Sequence, residues 1–484
     1  MTLYFLLIIL SAQAQEPLQD YIFFANSRMS GNYFYTKTSF QSPSFIKNEN
    51  QKLPVNENIF FTPGNALQLE YVNGKNGKWS ASIYRPEIRG QDHFKIPKYL
   101  SFHLYSSTGT TSEFLPSVQL MSADSVFSKK YFFHLNKINS WEQVMIPVDS
   151  LGLKINNAPD ITTIVFSQHG NDGKKHTIYI DDIEFLSTSK HTDVISKPVI
   201  TGAKGYAKHV DIQWNPVTDS TIKYIKIYRS TDKKNYRAVG IQLPIICRYS
   251  DFTGETNKSY SYKISFLNND YKETNLSAPV SAQTRAMTDD ELLSMVQEAC
   301  FRYYWEGAEP NSGLAREDIP GRQSMIAIGA SGFGIMALIV GTERNFITRE
   351  QSMERFTKIV NFLDSAETFH GALAHFMDGP TKKVEPFFGP KDNGGDLVET
   401  SFMMQGLLAA RAYFNSGDEK EKNIRDKITH IWERVEWDWY KQTPDSKFLY
   451  CSNRGESNTI TIFSIDQATG KLTIKAIIVA PTAR

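Results

Sequence analysis

Three carboxylates, Asp392, Asp396 and Glu399, fall within eight residues, on a glycine-rich turn (Gly389-Pro390-Lys391-Asp392-Asn393-Gly394-Gly395) and the segment that follows it. Glycosidic cleavage needs one carboxyl to protonate the leaving oxygen and a second carboxylate beside it. A proton donor at neutral pH needs its pKa raised, by burial or by a like charge, and Asp396 is near enough in sequence to Glu399 to be that charge. The same spacing has a structural reading: Asp396-x-x-Glu399 is a capping box, with Asp at N-cap and Glu at N3. Spacing alone leaves both readings open and leans to the structural one. By the same standard Arg316-Glu317-Asp318 is a charged loop and His375 a turn histidine.

The elements that must position these groups are helices. Thr288-Asp289-Asp290-Glu291 is a capping box, followed at helical period by Leu292, Leu293, Val296, Cys300, Tyr303 and Tyr304. A second helix is expected through 324–340, small and apolar on nearly all sides, as suits a helix buried in a ring of helices. Thr348-Arg349-Glu350-Gln351 caps a third. A fourth runs from about Asp396 to Phe414 and a fifth from about Asp418 to Tyr440, with Ile424, Ile428, Trp432 and Val435 on one side. Very apolar and amphipathic helices alternate, which suggests the inner and outer layers of an α/α toroid.

The text before residue 288 is strand-like. Short alternating runs such as Ala66-Leu67-Gln68-Leu69-Glu70-Tyr71-Val72 recur over 20–187 between turns, which argues a β-sandwich. The Asp181-Asp182 pair in its last run reads as a turn or edge feature. Residues 196–285 form a second β unit, with Trp214 in an early strand and Tyr260-Ser261-Tyr262 in a late one. After Gln442 come two short strands and a turn. The expected fold is therefore multidomain: two all-β sandwich modules, an all-α partial (α/α)6 toroid over 288–442, and a short β tail over 443–484.

Several of these phrases resemble known families. Gly371-Ala372-Leu373-Ala374-His375-Phe376, the run from Asp392 to Leu408, Tyr303-Tyr304-Trp305-Glu306, Ser312-Gly313-Leu314-Ala315-Arg316 and Ser331-Gly332-Phe333-Gly334 together resemble the glucoamylase-like domain of glycoside hydrolase family 144. That resemblance implies an (α/α)6 toroid and an inverting hydrolase of a β-glucan, of the endo-β-1,2-glucanase type. It moves Glu399 forward as general acid, makes Asp396 and Asp392 cleft-lining residues, and makes Arg316, Asp318 and His375 sugar contacts. A toroid of this type needs a full double ring of helices, and this chain has room for five or six. Residues 20–187 resemble carbohydrate-binding jelly rolls, and 196–285 a fibronectin type III module. Phe448 to Leu472 resembles one blade of a lactonase-type seven-bladed propeller, so a fusion or truncation is expected near Gln442.

Composition sets the remaining bounds. With 53 Lys plus Arg against 52 Asp plus Glu, nothing marks a polyanion partner, and nucleic acid is not expected. An apolar run from Leu3 to Leu10 followed by Ala12-Gln13-Ala14 reads as a signal peptide over 1–14, so the chain is expected to be exported, to the periplasm, cell surface or medium. No later stretch is long and apolar enough for a membrane span. Three cysteines, Cys247, Cys300 and Cys451, are too few for a disulfide scaffold and read as buried small apolar residues. No cofactor and no metal are expected. The expected partner is a polysaccharide or oligosaccharide. The alternatives to a hydrolase are a non-catalytic glycan-binding or surface protein and an inactive chimeric product.

Overall fold

A computed structural model describes residues 21–440, apart from 30, 86–93, 154, 156–159, 189–192, 195 and 320, together with 448–453, 459–465 and 472–479. The expected signal peptide and the turn at 466–471 lie outside the described residues.

The first β unit is a sandwich. A seven-stranded sheet is built on Ala66–Val72, Lys175–Leu186, Tyr99–Ser106 and Glu142–Pro147 in that spatial order, all antiparallel. A four-stranded sheet of Thr36–Gln41, Lys78–Tyr84, Ile161–Ser167 and Ser117–Ser122 packs on it. Alternation decides the faces: Leu67, Leu69, Ile178 and Ile180 meet Ile83, Ile164 and Phe166 in one core. Trp79 is buried there with its indole N–H donated to Asn73 Oδ1 at 2.8 Å, so its one polar atom is satisfied. Asp181-Asp182 is not an edge feature. The pair sits in a bulge of a central strand, Asp182 at φ 48°, and both side chains are buried.

The second β unit has three strands (Ile200–Gly205, His209–Trp214, Arg248–Phe252) facing four (Arg237–Gln242, Ile222–Ser230, Ser259–Asn268, Val280–Gln283). Their core includes Trp214, Ile225, Ile227 and Tyr262. Its three-stranded sheet is tied to the helical part by Asp211 of the central strand, which receives Arg302 Nη1 at 2.7 Å as well as Arg248 Nη1 of the neighbouring strand at 3.2 Å.

Five α-helices follow among the described residues: α1 (Asp289–Trp305), α2 (Ile328–Glu343), α3 (Arg349–Asp364), α4 (Leu397–Tyr413) and α5 (Glu419–Glu433). The capping boxes at Thr288 and Thr348 are both complete. Helix α2 packs on α4 and α3 on α5, so apolar and amphipathic helices form two layers, an arrangement consistent with a toroid. Residues 325–327, expected as the start of the second helix, instead form a strand paired with Phe376–Asp378. In α5, which ends at Glu433 rather than near Tyr440, the buried apolar stripe is Ile424, Ile428 and Ile431, with Val435 buried just beyond it; Trp432, one residue round from Ile431, is exposed. The tail has three strands, one more than the sequence suggests.

Two apolar expectations need correction. Helix α2 is not buried all round: Gly334 and Gly341 admit the Tyr304 and Phe301 rings of α1, but Phe333 is 52 % and Val340 49 % exposed. On α1 the periodic residues Leu293, Val296 and Cys300 face outward, while Phe301 and the periodic Tyr304 pack on α2. Cys300 is thus exposed and Cys247 half-buried, contrary to the expectation for both. With Val398 and Phe402 of α4 also exposed, an apolar face runs across α2 and α4. Phe333→Ser is expected to raise the concentration at which the chain stays monodisperse in light scattering, with little change in Tm, because its main partner is the Phe402 ring at 5.1 Å.

The α3–α5 layer is pinned by Glu421. Its buried carboxylate takes Arg349 Nε at 2.7 Å and the Ser416 amide at 2.9 Å. Against the cost of burial, these donors hold its pKa at about 2. Because the folded pKa is depressed, the contribution is present above the ordinary glutamate range and is lost as pH falls toward 2. Glu421→Gln should lower stability by about 1–2 kcal/mol at pH 7. It should also flatten the acid limb of a Tm-against-pH curve.

Candidate active site

A two-stranded ladder assembles the site. Pairing of Ala327 with Phe376 sets the start of α2 beside His375, and the Ile328 amide donates to the His375 carbonyl at 3.2 Å. Helix α4 is latched to the same segment. Thr400 Oγ1 accepts from the Leu373 amide at 2.9 Å, and the Asp396 amide donates to the Leu373 carbonyl at 2.7 Å. The N-termini of α2 and α4 therefore meet at His375.

Glu399 is the joint between them. Helix α2 has Ala327 at its N-cap, which offers no side-chain acceptor. Glu399 Oε2 fills that role from another helix, accepting the Gly329 amide at 2.7 Å. A Cβ on Gly329 would lie 2.1 Å from the same oxygen, so only glycine permits the approach. The expected capping box is thus half formed. Asp396 is the N-cap of α4 and accepts the Val398 and Glu399 amides at 2.9 and 3.1 Å, while the Glu399 side chain turns away to α2 instead of closing the box.

His375 lies between the two carboxylates. Its Nδ1 is 3.3 Å from Asp396 Oδ2 and its Nε2 is 3.8 Å from Glu399 Oε1. The hydrogen bond from His375 and the helix-terminal amides lower the Asp396 pKa below its ordinary value against the opposing effect of burial. Asp396 is therefore an ionised neighbour of Glu399. The three side chains are 18–25 % exposed, open to a solute. They also bring one ligand atom each within 4.8 Å of one another, as a metal ion would require. Here, however, both ring nitrogens already face carboxylates and one Glu399 oxygen holds a backbone amide, which suits proton handling better. The same spacing bears on stereochemistry. Carboxyls that act as the acid and base of an inverting pair stand about 6.5–9.5 Å apart, so Asp396 is too close to Glu399 to be its base.

The other sequence candidates fall around this cluster. Asp392 Oδ2 accepts the Phe388 amide at 3.2 Å, and the half-exposed Phe388 ring meets His375 edge-on at 5.3 Å. Arg316 spends its guanidinium on the carbonyls of Gln323 and Gly307, both at 2.8 Å, and so braces a loop. The Tyr303 hydroxyl donates to the carbonyls of Arg316 and Glu317 in that loop. Burial, reinforced by the Asp318 charge, pushes the Tyr303 pKa up to about 12. Hydrogen bonds thus join Asp396 to His375, while Arg316 and Asp318 belong to the adjoining loop.

Sequence reasoning missed Gly329 and the aromatics Phe388 and Trp439. The Trp439 ring stacks on His370 at 3.8 Å and is half exposed. The Tyr440 hydroxyl beside it donates to the Phe369 carbonyl and lies 2.8 Å from where a Cβ on Gly395 would be. An aromatic wall therefore stands by the Gly395-Asp396 turn. The Trp-Asp-Trp-Tyr run was the available signal.

The chain is similar over most of its length to known proteins. Over 453 residues the chain is 48 % identical to an exo beta-1,2-glucooligosaccharide sophorohydrolase (non-reducing end) of Parabacteroides distasonis, covering 92 % of this chain and 63 % of that protein. The crystal structure of a beta-1,2-glucanase from Parabacteroides distasonis matches with a TM-score of 0.86 and 47 % identity, over 91 % of this chain and 64 % of that one. The chain thus spans less than two thirds of either. Residues 20–187 match a family described as carbohydrate binding domain 30, and 441–481 one described as lactonase, 7-bladed beta-propeller.

Proposed function

We propose that residues 288–440 carry one wall of the cleft of an exported β-glucan hydrolase, with Glu399 as general acid. The observation that carries this reading is the Glu399–His375–Asp396 cluster at the joined N-termini of α2 and α4. It lies in a stretch nearly half identical to a protein that bears the name of a sophorohydrolase. In this reading the substrate is a β-1,2-linked glucooligosaccharide cut from the non-reducing end, rather than internally as the endo-type resemblance implies. The helices are one arc of an (α/α)6 toroid. Phe388 and Trp439 offer flat faces to sugar rings. Asp392 and His375 line the cleft, Arg316 and Asp318 frame it, and the base of an inverting reaction comes from outside the cluster. The first β unit serves as a carbohydrate-binding module, the second as a fibronectin type III-like spacer, and the tail as a propeller-blade fragment.

A second reading has its own support. The exposed apolar face of α2 and α4 favours a non-catalytic glycan-binding or surface protein. One experiment separates the two. Residues 15–484 are incubated with β-1,2-glucooligosaccharides, and disaccharide release is followed beside Glu399→Gln. Release by the parent that the variant lacks supports the hydrolase. No release by either, with retained binding to immobilised glucan, supports the second reading.

A further inference from the structure

The outer face of the seven-stranded sheet, opposite the core, is not open. Ser101, His103, Tyr179, Asp181 and Glu184 alternate with the core residues Leu100, Phe102, Ile178, Ile180 and Ile183. The second β unit sets Lys223, Tyr224 and Tyr271 onto that face. Lys223 Nζ and the Tyr271 hydroxyl (2.8 Å) both donate to Glu184. Phe61 stacks on His103 at 3.7 Å, and the Tyr271 ring closes edge-on over Phe61 and His103 at 5.2 and 4.8 Å. All of these side chains are buried except those of Phe61 and Tyr271, which are partly exposed.

The charges in this junction do not balance. Facing one another are three carboxyls (Asp181, Asp182, Glu184), one ammonium (Lys223), the His103 imidazole and the hydroxyls of Tyr224 and Tyr271. Burial, then the Lys223 charge, lower the His103 pKa to about 3, so it adds no cation at neutral pH. Burial foremost holds both tyrosines un-ionised. Three carboxylates against one ammonium would leave uncompensated negative charge out of water. Asp181 is the better supplied with donors, although burial and the Asp182 charge still push its pKa well above the ordinary carboxylate value. Its Oδ2 accepts the Phe61 and Thr62 amides at 2.8 and 3.1 Å, and its Oδ1 accepts the Asp182 amide at 2.9 Å. Asp182, in a bulge whose positive φ turns it into the junction, has no backbone donor on its carboxyl and only the Thr62 and Tyr271 hydroxyls near it.

We propose that the outer sheet face of the first module is a protein-docking surface closed by the second module, and that one proton shared by Asp181 and Asp182 keeps it closed. Burial raises both carboxyls. Each is raised further by a neighbouring carboxylate, and for Asp182, which Lys223 opposes, the result is about 7. A folded pKa above the unfolded one means that the stabilisation is complete below about 4 and is lost as pH rises to about 7. With one proton at stake, the docking equilibrium should weaken by up to tenfold per pH unit across that window. While docked, the face has no space for a pyranose, so glucan binding by the first module uses another surface.

The test is hydrogen–deuterium exchange on the full chain at pH 5 and pH 8.5, corrected for intrinsic rates. It follows peptides over 58–63, 100–106 and 268–273, with 67–71 as the core control. The parent should lose protection in the three junction peptides by tenfold or more at pH 8.5 and keep it in the control. Asp182→Asn, which is neutral at both pH values, should stay protected at both. Lys223→Met should lose protection at a lower pH than the parent. Equal protection of the parent at both pH values would overturn the proposal. So would loss of protection at pH 8.5 in Asp182→Asn while its core control holds.

Discussion

Glu399→Gln is expected to lower hydrolysis of β-1,2-glucooligosaccharides by about 10²- to 10⁴-fold, the range that general acid catalysis supplies. The fold should not change. An amide oxygen at the same place still accepts the Gly329 N–H, so the makeshift cap of α2 survives and Tm should move by little. The loss should fall on kcat rather than KM, since the proton is transferred only in the transition state. Asp396→Asn is the contrasting variant. It keeps the α4 cap through its own oxygen but loses the ionised partner of His375, so it should shift the pH profile of any remaining turnover. A pair of kcat-against-pH curves decides between a proton donor and a merely structural carboxylate.

Gly332→Ala should be among the most damaging small substitutions in the helical part, costing about 3 kcal/mol or more. The added Cβ would lie 2.3 Å from the Phe402 carbonyl oxygen and 2.7 Å from the Met403 amide nitrogen. These are backbone atoms of α4, which have no rotamer to retreat into. Gly406 faces the Gly332 carbonyl at the same distance, so the two glycines form one crossing and Gly406→Ala should behave alike. Gly389, with nothing near its Cβ position, has a φ of 112° that makes it a poor control; Gly394, which has neither obstacle, is the better one. Denaturant unfolding of the three variants, followed through the helical signal, checks the ranking.

How much of this was legible depended on range. The capping boxes at Thr288 and Thr348 read correctly because each is closed by residues three positions apart. Asp396 as an N-cap was legible for the same reason. That Glu399 would cap a different helix was not, because its partner Gly329 lies 70 residues away and shares no local pattern with it. Period alone also misplaced faces. The stripe of α1 is genuine as a pattern, yet Leu293 and Val296 point outward, and the packing on that helix falls to Phe301 against Gly341 and Tyr304 against Gly334. Trp432 illustrates the same limit: one position of helical phase separates it from the buried Ile431. The Asp181-Asp182 pair looked like an edge because buried acids are rare. The module that buries it starts after the strand has ended.

The glycines between α2 and α4 have a kinetic meaning as well. Gly329 receives Glu399, and Gly332 receives the Phe402 backbone, so both helices run the same way with their notches in step. A slide of either helix by less than a full turn, about 5.4 Å, would drive side chains into backbone. The pair therefore has no soft sliding motion, and the Glu399 carboxylate cannot be nudged along the helix axis by whatever binds beside it. Its position is decided once, when the two helices first click together, and a ligand must come to it.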